Sequence, residues 1–269
     1  MQSSPTAPVA GDQPLLLRND VNGVATLILN RPQQYNALSW ALLAELQTAI
    51  DAIAHDESVR VVVIAGTGKA FCAGHDLKEL RAHHNRKFIK ETFQRCSRLM
   101  LSLTRLPQPV IARAHGIVAA AGCQLVAQCD LAVAADDARF ATSGINVGLF
   151  CATPAVALTR NIARKRAMEM LMTGDFIDAR TALSYGLVNR VVPLAELDAE
   201  IKKFAQSIIA KTPVAIAAGK KIFYEQIEAG LERAYELAAD TMVCNMLTDD
   251  AAEGIDAFMQ KRAPRWRGS

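Results

Sequence analysis

The sequence predicts an α/β core followed by a helical C-terminal region. Apolar runs rich in β-branched and small residues alternate with helical patterns as far as about residue 153, and such runs are typical of strands covered on both faces. Beyond that point the apolar residues recur mainly at helical spacing. The chain has 269 residues and is 51% hydrophobic, which is enough for a sizeable core. We therefore expect a flexible tail at 1–12, an α/β core at 13–193 and a helical region at 194–269.

The first elements are predicted to be a β-hairpin, a helix and a buried strand. Asn22-Gly23 separates two short apolar runs, and Asn-Gly in that setting is the strongest short signal for a hairpin. Ser39 is a suitable N-cap for a helix over 40–54, where apolar residues recur at helical spacing. The β-branched run at 59–65 predicts the first strand that is buried on both faces.

The later elements follow the same rules. Further buried strands are predicted at 110–113 and 131–134, with a helix of small residues at 119–128 between them. The remaining helices are predicted at 155–162, 164–173, 195–210, 214–229, 231–247 and 249–261.

The composition excludes several classes of function. A net charge of +3, with Lys and Arg spread along the chain, gives no basis for nucleic-acid binding. The sequence has no apolar run of the roughly 18 residues that a membrane span needs. Six cysteines without CxxC or His/Cys spacing predict free thiols in a reducing compartment and no metal site. The first residues resemble neither a secretory signal nor a transit peptide. We therefore predict a cytoplasmic protein, or a mitochondrial matrix protein if a transit peptide has been removed.

Two apparent motifs have simpler explanations. Gly66-Thr-Gly68-Lys69 lacks the GxxxxGKS or GxxxxGKT spacing of a phosphate loop, so we predict a turn at the end of a strand. His83-His84 has no third metal ligand at a useful spacing and lies among polar residues, which favours a solvated position.

Two other segments form a more specific pair. Phe71-Cys-Ala-Gly-His-Asp76 and Gly116-Ile-Val-Ala-Ala-Ala-Gly-Cys-Gln-Leu125 both follow an apolar strand and place small residues where a helix begins. The start of a helix has free N–H groups and a partial positive charge, and small residues allow a ligand to approach the backbone. Together they predict a site for an oxygen atom that becomes negatively charged.

With these two segments the chain resembles the enoyl-CoA hydratase/isomerase (crotonase) superfamily over nearly its whole length. Segments 29–39, 130–140, 166–175 and 182–189 are also similar to family segments. The resemblance implies a crotonase-type spiral of ββα units with a helical C-terminal region, and a homotrimer or homohexamer. It implies an acyl-CoA substrate and no separate cofactor, since coenzyme A is part of the substrate.

The resemblance also implies which residues form the site. The backbone N–H groups of His75 and Ala121 would form an oxyanion hole for the thioester carbonyl. Lys78 and Lys261 would approach coenzyme A. The region 194–269 would supply the contact made by Lys261 and would also form the subunit interface. The substrate-binding set implied in this way is Ala73, Gly74, Asp76, Leu77, Lys78, Gly122 and Lys261.

The chain departs from the family at the acid–base positions. The two glutamates that handle water in typical hydratases align with Gln124 and Gly144, and a carboxylate used by sister enzymes aligns with Ala152. Of the nearby acids, we expect Asp76 to be structural and Glu79 to be solvated. Positioned acid–base groups each contribute on the order of 10²–10⁴-fold to a rate.

We therefore predict an acyl-CoA-binding member of the family, of the lyase or isomerase class, that is weak or inactive as a hydratase. Two alternatives remain open at this stage. One is a CoA-thioester decarboxylase or another enzyme whose enolate chemistry needs no glutamate. The other is a non-catalytic acyl-CoA-binding subunit.

Overall fold

The structure is a computed structural model that describes residues 13–268. The predicted tail at 1–12 lies outside the described residues. The strands are β1 (Leu16–Val21), β2 (Val24–Leu29), β3 (Val61–Gly66), β4 (Ala70–Cys72), β5 (Val110–Ala114), β6 (Ile117–Ala119), β7 (Leu131–Ala135), β8 (Arg139–Ala141), β9 (Ile177–Asp178) and β10 (Arg190–Val192).

Helices follow the strands through the core and fill the C-terminal region. Within the described residues they are α1 (Trp40–Ile53), α2 (Leu77–Ala82), α3 (Arg86–Arg105), α4 (Ala121–Gln128), α5 (Ala152–Asn161), α6 (Arg164–Thr173), α7 (Ala179–Tyr185), α8 (Leu197–Ile209), α9 (Pro213–Gln226), α10 (Leu231–Met246) and α11 (Asp249–Met259). The predicted α/β core with a helical C-terminal region is confirmed.

The strands form two sheets. The larger has the order β1-β2-β3-β5-β7-β10, and the smaller has the order β4-β6-β8-β9. Three successive strand pairs, β3/β4, β5/β6 and β7/β8, each give one strand to the large sheet and the next to the small sheet. A helix follows each pair, so the ββα unit repeats three times and brings three strand-to-helix connections to corresponding places.

The first predicted elements have the expected local chemistry. Asn22 and Gly23 both have positive φ, 51° and 78°, and connect the antiparallel strands β1 and β2. A two-residue turn with positive φ at both positions matches the right-handed twist of the flanking strands. The side chain of Ser39 accepts a hydrogen bond from the N–H of Leu42 and caps α1.

The large sheet is covered on both faces. One face contributes to the main core with residues such as Leu27, Leu29 and Ile64. The opposite face, with Val61 and Val63, packs against α8 in a second cluster. Strands buried on both faces explain the continuous apolar runs in the sequence. Although α8 belongs to the predicted helical region at 194–269, it completes the packing of the sheet; the boundary at 193 stays a prediction.

A buried ion pair connects α9 to the core. Lys220 on α9 lies 2.6 Å from Asp130, and its Nζ also donates to the carbonyl oxygens of Leu103 and Gln108. The hydroxyl of Tyr224 donates to the second oxygen of Asp130 at 2.8 Å. Burial lowers the pKa of Lys220, while its attraction to Asp130 raises it. We call Lys220, Tyr224 and Asp130 the α9 anchor.

The remaining C-terminal helices leave large apolar side chains exposed. Leu231, Tyr235 and Met242 on α10 and Phe258 on α11 are each more than half exposed, and α10 has no buried residue. Apolar surface of this extent is typical of an interaction face. Within 13–268 no helix is both long and apolar enough to cross a membrane.

Several short strands were not predicted from the sequence. β4, β6, β8, β9 and β10 are two or three residues long. Their residues do not stand out as separate strands in the sequence, because two or three apolar residues show no periodicity. β9 and β10 add strands to a region that was predicted to be almost entirely helical.

Candidate active site

Three turns meet at one edge of the small sheet. β4, β6 and β8 run parallel, so their carboxyl ends lie at the same edge. That edge is where α/β sheets usually bind ligands. The predicted residues found in these turns and at the helix starts that follow are Ala73, Gly74, His75 and Asp76 after β4, Ala121, Gly122 and Gln124 after β6, and Gly144 after β8.

The turn after β4 is held by the segment that precedes α1. The N–H of Leu38 donates to the carbonyl of Gly74 at 2.8 Å, and the carbonyl of Leu38 accepts from the N–H of Asp76 at 3.2 Å. This pairing uses the groups on either side of His75. The N–H of His75 has no acceptor among the described residues.

Gly74 has a conformation that requires glycine. Its φ is +102°, a region that L side chains rarely adopt, and a Cβ there would lie 2.8 Å from the Cβ of Ala120. Glycine therefore allows the turn after β4 to touch the turn after β6.

The turn after β6 is strained. Ala120 has φ 48° and ψ −117°, and a non-glycine residue in such a region costs on the order of 1–3 kcal/mol. Its N–H donates to the carbonyl of Ala141 at 2.9 Å, and its carbonyl accepts from the N–H of Gln124 at 3.0 Å. These two bonds hold the unusual conformation directly before Ala121, the first residue of α4.

The two free N–H groups lie close together. A Cβ built on Gly74, beside His75, would be 3.2 Å from the nitrogen of Ala121. Like that of His75, the N–H of Ala121 has no protein acceptor within the described chain. Gly122 lets α4 approach β4, because a Cβ there would collide with the carbonyl oxygen of Cys72. N–H groups without acceptors, one in a tight turn and one at a helix start, are donors of the kind that can hold an oxygen that becomes negatively charged.

Three polar side chains surround these turns. Gln124 is buried in α4, Thr142 is fully buried just after β8, and the ring of His75 lies with its edge against Phe93 on α3, at 5.0 Å between ring centroids. Burial lowers the pKa of His75 to about 4, so its ring is neutral at physiological pH. Thr142 was not among the predicted site residues. The signal in the sequence is a polar residue directly after the short strand β8.

Comparison with known proteins decides the family. The model of the enoyl-CoA hydratase/isomerase family matches residues 19–269. The chain belongs to the enoyl-CoA hydratase/isomerase family. The resemblance that the two motifs carried is thereby confirmed.

Several of the similar curated proteins from different organisms carry the same name. The chain is 46% identical to the mitochondrial enoyl-CoA hydratase domain-containing protein 3 of Xenopus laevis over 256 residues, covering 95% of this chain and 87% of the relative. It is also 46% identical to the protein of the same name from Homo sapiens over 246 residues, covering 91% and 81%. The sequence of 140–154 resembles this group in particular.

Solved structures of family members confirm the predicted crotonase-type fold. An enoyl-CoA hydratase from Mycobacterium smegmatis is 59% identical with a TM-score of 0.93, covering 94% of this chain and 99% of that chain. The human enoyl-CoA hydratase domain-containing protein 3 is 44% identical with a TM-score of 0.92, covering 94% and 100%.

The predicted cytoplasmic location is contradicted by these comparisons. The Xenopus laevis and human relatives are both named as mitochondrial proteins. The prediction depended on the composition of the first residues. The compartment is encoded by targeting segments that do not contribute to a folded core, so the folded domain gives no information about it.

The three positions at which relatives carry a carboxylate differ from one another in their surroundings in this chain. Gln124 is 4% exposed, and its amide oxygen has no hydrogen-bond partner within the described chain. Gly144 is crowded: a Cβ there would lie 2.5 Å from the carbonyl oxygen of Leu149 and 2.7 Å from Sγ of Cys151. Ala152 is exposed at the start of α5.

Of the two acids near the turn, Asp76 has the structural role that the sequence predicted. It caps α2 by accepting from the N–H groups of Lys78 and Glu79, and it pairs with Arg31 at 2.9 Å. Burial would raise the pKa of Asp76, but these partners lower it. The expectation for Glu79 was wrong, because its carboxylate accepts from the N–H of Trp40 at 2.9 Å. That bond satisfies a free donor at the start of α1.

The residues predicted to contact coenzyme A lie on two separate elements. Leu77 and Lys78 are exposed on α2, next to the first turn. Lys261 is exposed beyond the end of α11 and has φ 55°. A cleft of about 930 Å³ lies between α11 and residues 262–267, and a second, of about 380 Å³, adjoins it. Neither cleft is lined by the three turns.

Proposed function

We propose that the chain binds an acyl-CoA thioester and polarises its carbonyl between the N–H groups of His75 and Ala121. The observation that carries this proposal is a pair of neighbouring N–H groups that have no acceptor among residues 13–268. Gly74 at φ +102° and Ala120 at φ 48° hold them in place. Strained backbone of this kind is concentrated at functional sites. In enzymes that stabilise an oxyanion, removing one hydrogen-bond donor costs roughly 2.7–4 kcal/mol.

Hydration is expected to be weak. Adding water to a 2-enoyl thioester requires one group that takes a proton from water and one that protonates the α-carbon. The amide of Gln124 cannot accept a proton near neutral pH, and Gly144 has no side chain. The buried ring of His75, with a pKa of about 4, is a poor base at neutral pH.

A second candidate is enolate chemistry that needs no glutamate, such as loss of carbon dioxide from a malonyl-type thioester. The crowding of Gly144 by Leu149 and Cys151 favours it. Because position 144 has no room for a carboxylate side chain, chemistry that needs no acid or base there is compatible with this site.

The site is proposed to be completed by neighbouring subunits of a homotrimer or homohexamer. Exposed apolar side chains on α10 and α11 support this, because such a surface is costly to leave in water. In such an assembly Lys78 would bind the phosphates of coenzyme A from its own subunit, and Lys261 would approach from its own or an adjacent one.

The test is calorimetric titration with butanoyl-CoA, followed by assays of crotonyl-CoA hydration and of malonyl-type decarboxylation. We expect binding in the micromolar range, which is about −8 kcal/mol, and weaker binding by Lys78→Ala at unchanged thermal stability. Light scattering should report a trimer or hexamer. No heat with any CoA thioester contradicts the proposal, while binding without either reaction supports a non-catalytic role.

A further inference from the structure

Helix α3 carries a large excess of positive charge. Its sequence has one acidic residue, Glu91, against six basic residues, which are Arg86, Lys87, Lys90, Arg95, Arg98 and Arg105. The guanidinium of Arg95 lies over the ring of Trp40, at 4.3 Å from the ring centroid. Within residues 13–268, none of the other five basic side chains forms an ion pair. The described part of the chain therefore leaves these charges to the solvent or to a partner.

The helix brings cations that are scattered in the sequence onto one face. After its first residue, the exposed residues of α3 are Lys87, Lys90, Gln94, Arg98, Leu101 and Arg105. Successive members of this set are three or four residues apart, which is the spacing of side chains on one face of a helix. The face extends over about 27 Å at 1.5 Å per residue. We call Lys87, Lys90, Arg98 and Arg105 the α3 basic stripe.

The charge at the start of α3 opposes the helix dipole. Arg86 and Lys87 lie in the first turn, which contains no acidic residue. The N-terminus of a helix has a partial positive charge, so cations are unfavourable there. Arg81, exposed near the end of α2, adds a further cation close to this turn in the sequence. Residues that break a local rule without a compensating contact inside the described chain indicate a contact outside it.

We propose that the α3 basic stripe docks the protein on an anionic phospholipid surface. Each Lys or Arg that lies near such a surface strengthens the attraction about fivefold. The stripe presents four of these charges along one straight element. Leu101 lies on the same face and is 48% exposed, so it adds an apolar side chain that can enter the headgroup region.

Nucleic acid fits the stripe less well than lipid does. Proteins that bind single strands combine cations with aromatic side chains on which the bases stack. The two aromatic rings of α3 already have partners, since Phe88 stacks on Trp40 at 4.5 Å and Phe93 lies edge-on to His75 at 5.0 Å between centroids. With Leu101 as its only apolar member, the face also lacks the apolar composition of a subunit interface core.

Vesicle sedimentation tests the docking surface. The assembled protein is mixed at low salt with vesicles of phosphatidylcholine alone, or of phosphatidylcholine and phosphatidylglycerol in equal amounts. We expect binding to the mixed vesicles to be at least about 100-fold stronger, and to weaken as added salt screens the attraction. Combined Lys87→Gln, Lys90→Gln, Arg98→Gln and Arg105→Gln should bring the two kinds of vesicle to within about threefold, since each charge contributes about fivefold.

A matched variant controls for net charge. Combined Arg164→Gln, Lys165→Gln, Lys202→Gln and Lys211→Gln removes the same charge from four exposed side chains that form no ion pair within residues 13–268. It should keep the preference for the mixed vesicles to within about threefold of the unmodified protein.

Two further measurements keep the test decisive. The stripe variant should retain the Tm of the unmodified protein and its affinity for butanoyl-CoA, because the substituted residues are exposed and lie outside the candidate active site. If the fourfold variant does not fold, Lys90→Gln combined with Arg98→Gln decides the question, with an expected loss of about 25-fold on the mixed vesicles.

Four results would overturn the proposal. Equal binding to the two kinds of vesicle removes the preference for anionic lipid, and equal losses in the stripe and control variants assign it to net charge alone. Tighter binding to a single-stranded oligonucleotide than to the mixed vesicles at the same salt assigns the stripe to nucleic acid. A tenfold loss of butanoyl-CoA affinity in the stripe variant assigns it to coenzyme A. The proposal does not depend on acyl-CoA binding, so either can fail alone.

Discussion

Restoring glutamates at positions 124 and 144 is expected to recover little hydration, because only position 124 has room for the larger residue. Gln124→Glu replaces one buried side chain with another of nearly the same shape. Gly144→Glu must place a Cβ 2.5 Å from the carbonyl oxygen of Leu149. That carbonyl belongs to a loop closed by a 2.9 Å hydrogen bond from the N–H of Leu149 to the carbonyl of Gly144. The loop must open before the side chain fits.

The magnitude follows from this contact. Adding one methyl group to a tightly packed place costs about 1–3 kcal/mol, so Gly144→Ala alone should lower Tm by about 2–12 °C. Gly219→Ala is the matched control, because nothing lies within 4 Å of a Cβ there and the position is inside α9. It should raise stability by about 0.5–1 kcal/mol. Gly144 does not have a positive φ, so the obstacle to a side chain there is steric.

The assay is kcat/KM for crotonyl-CoA. The unmodified protein should lie at least about 10³-fold below a competent relative, Gln124→Glu should gain at most about 10²-fold, and the double variant should gain nothing further. A double variant with kcat/KM more than about tenfold above that of Gln124→Glu would show that the loop between Gly144 and Leu149 opens at little energetic cost. A value near 10⁶ M⁻¹s⁻¹ for the unmodified protein, which lies within the usual enzyme range, would show that another residue moves the proton.

Three further predictions concern the backbone, the fold and pH. Gly74→Ala should abolish acyl-CoA binding in calorimetry, because its Cβ meets that of Ala120 at 2.8 Å and φ +102° disfavours it; unchanged affinity would contradict the proposed oxyanion hole. Lys220→Met should reduce the free energy of unfolding in denaturant titration by about 3–5 kcal/mol, since Asp130 is left buried without its cation; a loss below about 1 kcal/mol would refute the role of the pair. For His75, folding lowers the pKa from 6.5 to about 4. The unfolded chain therefore takes up the proton first, and stability should fall by up to about 3 kcal/mol as pH drops from 6.5 to 4; His75→Gln should remove that part of the slope.

Much of the fold could be predicted because its signals are local. Asn22-Gly23 and Ser39 determine their turn and cap through their own backbone and side-chain chemistry, and helical spacing is visible in any window of about eleven residues. The short strands β4, β6 and β8 could not be predicted in the same way. Each has only three residues and becomes a strand because another ββα unit supplies a neighbour to pair with.

The same distinction applies to the candidate site, where residues with a local signal were predicted and residues that depend on distant contacts were not. The turns containing His75 and Ala121 were predicted because small residues at a helix start form a recognisable sequence pattern. The role of Glu79 in bonding the N–H of Trp40 and the burial of Thr142 depend on residues far apart in the chain. The crowding at Gly144 likewise comes from Leu149, whose carbonyl direction is a property of the folded loop.

The α9 anchor gives the C-terminal helices a mechanical connection to the site. Asp130 follows Cys129, the residue that ends α4, while the other end of α4 presents the N–H of Ala121. The cation that holds Asp130 belongs to α9, which packs beside the exposed apolar surface of α10. One ion pair therefore joins the C-terminal end of the helix that presents Ala121 to the helix beneath that outer surface. We expect a substitution that breaks the α9 anchor to disturb both the packing of the C-terminal helices and the position of α4.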